Sequence, residues 1–254
     1  MRKMNAQLLK AREKVCLPLD NLNTMETAEA RVKALHEYVG LFKVGKGSFT
    51  RFGPDIVKMV KKHGANVFLD LKYHDIPNTV KDAACAATEM GVNIFNVHAF
   101  GGSKMMFAAL EGADETAKRL EIAPPKVIAV TVLTSINIDI LYGELNVELD
   151  MEDQVLHLAQ MTADTGLDGI VCSANDLSAI TQFLPKDFMY ITPGIVHPNK
   201  GMVGSDQKRI ATPRNAIEDG ASILVVGRAI TGYETVEEQQ NAAHEILVDI
   251  AEVL

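Results

Sequence analysis

The chain has 254 residues, 47% of them hydrophobic and 23% charged, with a formal net charge of −8. That composition suits a globular protein with a large core, and the length fits one α/β barrel of about 250 residues or two smaller domains. The acid excess provides no general basic field for nucleic acid or an acidic membrane surface, so an anionic ligand would need a local positive site.

One unit recurs along the chain: a short apolar run, a turn, then an amphipathic helical stretch. The apolar runs cover residues 15–19, 41–44, 65–71, 93–97, 126–133, 169–172, 188–192 and 221–226. They are almost unbroken in hydrophobicity, as strands covered on both faces are. Between them, Asn23 or Thr24 can cap a helix over 25–38. Pro77 can open a helix that continues through 79–90, with Gly91 stopping it. Stretches 103–120, 151–165, 175–183, 213–219 and 236–253 read similarly. Eight strands alternating with helices predict a parallel sheet, closed as a single (β/α)8 barrel domain over 1–254. A doubly wound open sheet is the alternative.

Cys16, Cys85 and Cys172 are scattered and odd in number. Reduced thiols are expected, rather than a disulfide framework or a CxxC metal site. No apolar run reaches about 18 residues and the N-terminus lacks an apolar signal core, so the expected setting is cytoplasmic, without a membrane partner.

Barrel active sites are built at the C-terminal ends of the strands. The polar residues there are Asp20, Lys43, Asp70 with Lys72, His98, Thr134, Ser173, Thr192, and Gly227 with Arg228. For any one of them the plainer explanation is that solvent begins where a strand ends. Lys43, inside "LFKVG", fits that explanation less well, because lysine is almost never fully buried unless paired. The densest cluster is "FLDLKYHDIPNT", residues 68–79, with Asp70, Lys72 and Asp75. Strand side chains alternate faces, so Asp70 and Lys72 should point together into the mouth. Asp20 and Lys43 end the two preceding strands and can reach the same place. Two lysines and two aspartates sum to zero, as a balanced surface salt-bridge cluster would, or as a site where every buried charge is matched.

"DLKYHDIPNT" resembles the signature of the orotidine 5′-monophosphate decarboxylases. The resemblance continues through "LPLD" (17–20), "FKVG" (42–45), "NVHAFGG" (96–102), "VTVLTS" (130–135), "TPGI" (192–195), "DQKRIATP" (206–213) and "VVGRAIT" (225–231), in that family's order. Sugar-phosphate decarboxylases and hexulose-phosphate synthases of the same barrel superfamily also carry DxKxxD, usually followed by Ala-Gly. Here Ile76–Thr79 follows, which favours the nucleotide enzyme. The resemblance implies decarboxylation of orotidylate to UMP without cofactor or metal. It implies a homodimer in which Asp75, Ile76 and Thr79 reach across to the neighbouring site. Lys43, Asp70, Lys72 and Asp75 would form the catalytic charge array, with Lys72 as proton donor. Asp20 and Lys43 would address the ribose, Thr134 and Ser135 the base, and Gln207, Gly227 and Arg228 the phosphate.

One position departs from the family pattern. After "TPGI" the family usually has arginine, and here Val196 is followed by His197. His197 or Lys200 is then a candidate phosphate contact. "GLFKVGK", residues 40–46, fits GxxxxGK, but Gly47 follows where a P-loop needs Ser or Thr, and the stretch reads as strand. His74 has no second ligand at metal spacing, and His98 reads equally as a packed histidine or one lining the mouth. Two rival functions remain: a Mg²⁺-dependent sugar-phosphate decarboxylase or aldolase, and a non-catalytic barrel that binds a phosphate ligand.

Overall fold

A computed structural model describes residues 4–199 and 210–254. Helix α1 (Ala6–Glu13) leads into β1 (Val15–Pro18), α2 (Met25–Leu35), β2 (Leu41–Gly45), α3 (Lys46–Phe52), α4 (Asp55–Lys62) and β3 (Asn66–Tyr73). Then come α5 (Pro77–Glu89), β4 (Ile94–His98), α6 (Gly102–Leu120), β5 (Lys126–Val130), α7 (Ile138–Gly143), α8 (Met151–Asp164) and β6 (Gly169–Val171). The order ends with α9 (Ala174–Ile180), β7 (Met189–Thr192), α10 (Pro213–Glu218), β8 (Ile223–Val225), α11 (Arg228–Thr231) and α12 (Val236–Ala251). All strand pairs are parallel, and β8 returns to β1, closing the barrel. The expected (β/α)8 architecture is therefore present. No helix of the described residues is long and apolar enough to cross a membrane.

Strand alternation sorts the core into two shells. Cys16, Leu41, Phe68, Ile94, Ile128, Ile191 and Ile223 pack inside the barrel. Their neighbours Leu17, Phe42, Leu69, Phe95 and Ala129 face outward, against helix residues such as Val32, Val57, Ala84 and Met105. The helical boundaries follow local chemistry. Thr24 caps α2 by accepting from the Thr27 amide, Pro77 occupies the first turn of α5, and Gly91, with φ 68°, lets the chain leave it.

Several details differ from the sequence reading. The apolar run 126–133 is strand only to Val130, although Val132 is still buried. The 175–183 helix becomes a 3-10 turn after Ile180. Helices α1, α3, α7 and α11 had no individual forecast. They span four to eight residues, at most about two turns, too few to show an amphipathic period clearly. The GxxxxGK match lies on β2 with Gly45 as the residue before α3, so its middle is ladder-paired strand rather than a phosphate-cradling loop.

Candidate active site

The inner apolar shell sets the site one layer above it. Two residues beyond Leu41, Phe68 and Ile94 on their strands come Lys43, Asp70 and Asn96, so alternation brings three polar side chains to the mouth. Lys43 Nζ lies 3.1 Å from Asp70 Oδ2 and 3.4 Å from each oxygen of Asp20. Lys72 Nζ lies 2.5 Å from Asp70 Oδ1. The result is a row of alternating sign, Asp20–Lys43–Asp70–Lys72. Gly45 makes room for it: a Cβ there would stand 2.9 Å from Asp20 Oδ1 and 3.0 Å from Lys43 Nζ.

The charges sustain one another. Burial alone would raise the Asp70 carboxyl, but Lys43, Lys72 and the Asn96 amide outweigh it and leave its pKa below the ordinary value. Burial would likewise lower the Lys43 ammonium, and Asp70 with Asp20 reverses this, holding its pKa above the ordinary one. Lys43 and Asp70 are the two most buried members, and removing either leaves the other as an uncompensated charge, typically costing about 3–5 kcal/mol.

Lys72 does not reach this row by simple alternation. The β3–β4 register runs Leu69↔Phe95 and then Tyr73↔Val97, so three residues of β3 face Asn96 alone. Within that bulge Lys72 adopts φ 52°, a left-handed conformation that costs a non-glycine residue about 1–2 kcal/mol. Its backbone N–H donates 2.8 Å to Asn96 Oδ1, and Asn96 Nδ2 donates 2.7 Å to Asp70 Oδ1. Asn96 is fully buried. The sequence reading quoted it only as part of a motif, although alternation in "IFNVH" was enough to place it inside the mouth.

A cavity of about 500 Å³ opens over the row, a size suited to a small organic ligand. Asp20, Lys43, Asp70, Lys72, Thr134, Gly227 and Arg228, all named above as candidates, line it. Ser135 is exposed and outside the lining; the turn that brings Thr134 in carries its neighbour out. Gln207 and Lys200 lie outside the described residues. Val196 and His197 line the cavity. His197 Nδ1 accepts from the Asn199 amide at 3.2 Å, and Nε2 stands 3.4 Å from a Glu245 carboxylate oxygen. Arg31, which no motif pointed to, also lines the cavity; it donates to the Asp20 carbonyl at 3.5 Å. Among the described residues neither Arg31 nor Arg228 has a carboxylate within ion-pair distance, so both guanidiniums are available to an anion.

Asp75, Ile76 and Thr79 behave differently. All three are exposed, Ile76 to 67%, and none lines the cavity of its own chain. Asp75 Oδ1 accepts from the Ile76 amide at 2.6 Å, and Asp75 makes no ion pair with Lys72. Beside this segment the His74 and His98 rings lie 5.5 Å apart. Burial first, then nearby positive charge, depresses the His98 pKa to about 4, so this ring is neutral near pH 7. His98 is not part of the cavity lining.

A family model described as orotidine 5′-phosphate decarboxylase / HUMPS matches residues 13–244. The chain belongs to that family. Among its relatives are proteins named orotidine 5′-phosphate decarboxylase from Syntrophotalea carbinolica, 43% identical over 97% of this chain and 98% of the relative, and from Rhodospirillum rubrum, 49% identical over 78% and 79%. The crystal structure of a protein of the same name from Lactobacillus acidophilus superposes with a TM-score of 0.80 at 37% identity, covering 93% of this chain and 98% of that one. Family membership agrees with the barrel and with the DxKxxD sequence that spans the end of β3 and the loop after it.

Proposed function

We infer that the chain decarboxylates orotidine 5′-monophosphate to UMP and CO2, acting as a homodimer without cofactor or metal. The observation that carries this reading is the Asp20–Lys43–Asp70–Lys72 row under a cavity whose lining also holds the Arg31 and Arg228 guanidiniums, neither ion-paired among the described residues. In the reaction, the bond from C6 to the carboxylate breaks and its electron pair stays on C6, where no adjacent carbonyl can accept it. A fixed ammonium meets that charge as it develops. Lys72 then transfers a proton from Nζ to C6 and regains one from solvent.

Magnitudes decide which role of the array matters most. A substrate carboxylate about 4 Å from Asp70 would be repelled by about 4 kcal/mol at an effective dielectric of 20. Enzymes typically remove about 8–23 kcal/mol of barrier, so repulsion is a minor part. The larger part falls to Lys72 meeting the carbanion, and to remote binding that holds the base in place. Arg228, Gly227 and Gln207 are the proposed phosphate contacts, with Arg31 as a second guanidinium where the family pattern has arginine in place of Val196. Asp20 and Lys43 address the ribose, and Thr134 the base. Ser135 keeps that role only if its loop turns inward when the nucleotide binds.

The exposed Asp75, Ile76 and Thr79 support a shared site, in which they complete the cavity of the neighbouring subunit. The three free cysteines are in keeping with a cytoplasmic setting, and a place in UMP synthesis follows from the proposed reaction. The test is to incubate purified protein with orotidylate and follow the ultraviolet absorbance change, with and without EDTA. Turnover unaffected by EDTA is expected. Turnover lost to EDTA would favour a Mg²⁺-dependent enzyme of the same barrel, and no turnover at all would favour a non-catalytic binding protein.

A further inference from the structure

The left-handed conformation of Lys72 needs a cause, because the strand that carries it would ordinarily continue extended. Ladder pairing fails opposite Asn96, where three residues of β3 meet one of β4. The amide of Lys72, which a backbone carbonyl would otherwise accept, donates to the Asn96 side chain instead at 2.8 Å. The same carboxamide donates to Asp70 Oδ1 at 2.7 Å, the oxygen that also receives the Lys72 ammonium at 2.5 Å. Its orientation is fixed chemically: only the carbonyl end can accept from an N–H, and only the NH2 end can donate to a carboxylate. Asn96 is fully buried, and the Ile94 below it belongs to the packed interior shell, so its side chain has little room to move.

We propose that Asn96 is a positioning residue, whose single carboxamide both holds the Lys72 backbone in its bulged conformation and sets the Asp70 carboxylate against the Lys72 ammonium. Strained backbone persists only where its surroundings over-determine it, and this side chain supplies the constraint. The inference rests on reading Lys72 as the proton donor. It extends the site to β4, from which no charged residue is recruited.

Two variants test it. Asn96→Ala removes both bonds; kcat should fall about 10²-fold, as for a misplacement of about 1 Å, while KM for orotidylate stays within about threefold. Asn96→Asp keeps the acceptor for the Lys72 amide but turns a second carboxylate on Asp70. The charged and titratable groups around it are Asp70 and Lys72 on β3, Lys43 on β2 with Asp20 beyond it, and the imidazoles of His98 on β4 and His74 beside it. Two facing carboxylates raise one pKa, and only the protonated acid can donate to Asp70. Activity of Asn96→Asp should therefore recover as pH falls and be lost as pH rises through that ionisation, a limb absent from the unsubstituted enzyme. A purely structural asparagine would give no such limb. Native kcat in Asn96→Ala, or parallel pH profiles for Asn96→Asp and the unsubstituted enzyme, would overturn the proposal; should Asn96→Ala not fold, the Asn96→Asp profile decides alone. If the unsubstituted enzyme does not turn over orotidylate, the functional reading fails instead.

Discussion

At the scale of single residues, the site is a compromise between charge matching and backbone strain. Lys72 sits at φ 52°, where its ammonium meets Asp70 and its amide meets Asn96, a geometry a non-glycine residue does not prefer by itself. Replacing it should reveal the stored strain. Glycine adopts the left-handed region freely and alanine does not. We therefore expect Lys72→Gly to be more stable than Lys72→Ala by about 1 kcal/mol, read as the difference in urea midpoint, although glycine is normally the less stable choice in a strand. Equal or reversed stabilities would mean that the conformation is not strained. Much of this layer was legible in the sequence. Alternation along "FLDLK" points Asp70 into the mouth, and the rarity of unpaired buried lysine marks Lys43 at the end of the preceding strand. The bulge at Lys72 was not legible, because it arises from how many residues of β3 fit against β4, a relation between two segments that neither segment carries alone.

At the scale of elements, the segment holding Asp75, Ile76 and Thr79 is the entry to α5, and α5 is held by α6. Lys81 of α5 reaches Glu111 at 2.7 Å and Glu115 at 2.9 Å on α6. Beneath these exposed pairs, which contribute little, the two helix backbones approach closely at Gly112. A Cβ there would stand 2.7 Å from the Lys81 carbonyl and 3.3 Å from Cys85 Sγ. Gly112→Ala should therefore destabilise the protein by about 1–3 kcal/mol, the usual cost of overpacking. Thermal unfolding should show it as a melting point several degrees lower, at about 2–4 °C per kcal/mol for a chain of this size. An unchanged melting point would mean that the helices can separate slightly without loss. The long helices were visible because each spans enough residues to show its period, and the strands because burial on both faces makes them continuous apolar runs. Helices α3, α7 and α11 were not, because they are stabilised by what they pack against rather than by a pattern of their own.

At the scale of the whole molecule, the proposal divides the site between two copies of the chain. Lys72 lines its own cavity and Asp75 does not. A shared site has a consequence that a self-contained one lacks. Lys72→Ala and Asp75→Asn should each be inactive as homodimers, and mixing them should restore up to about a quarter of native activity per total site when subunits exchange at random. That figure follows from one heterodimer in two, with one intact site of two, and matches the closed two-fold symmetry usual for such dimers. No recovery in a heterodimer verified by mass would place Asp75 in the wrong role. The closed barrel and its order of strands were readable from eight apolar runs alternating with helices. That Asp75, Ile76 and Thr79 would serve a second copy came from the family resemblance alone, because their exposure and their distance from their own cavity appear only once the barrel is closed.

The central claim is that the Lys72 ammonium delivers the proton to C6 of a bound pyrimidine. Its most direct test is the turnover of orotidylate by Lys72→Ala, followed by ultraviolet absorbance, with UMP binding measured on the same preparation to show that the cavity is intact. The account predicts retained UMP binding and a kcat lower by at least about 10⁴-fold, since both the charge and the proton are lost. A variant that binds UMP and turns over orotidylate at the native rate would contradict it.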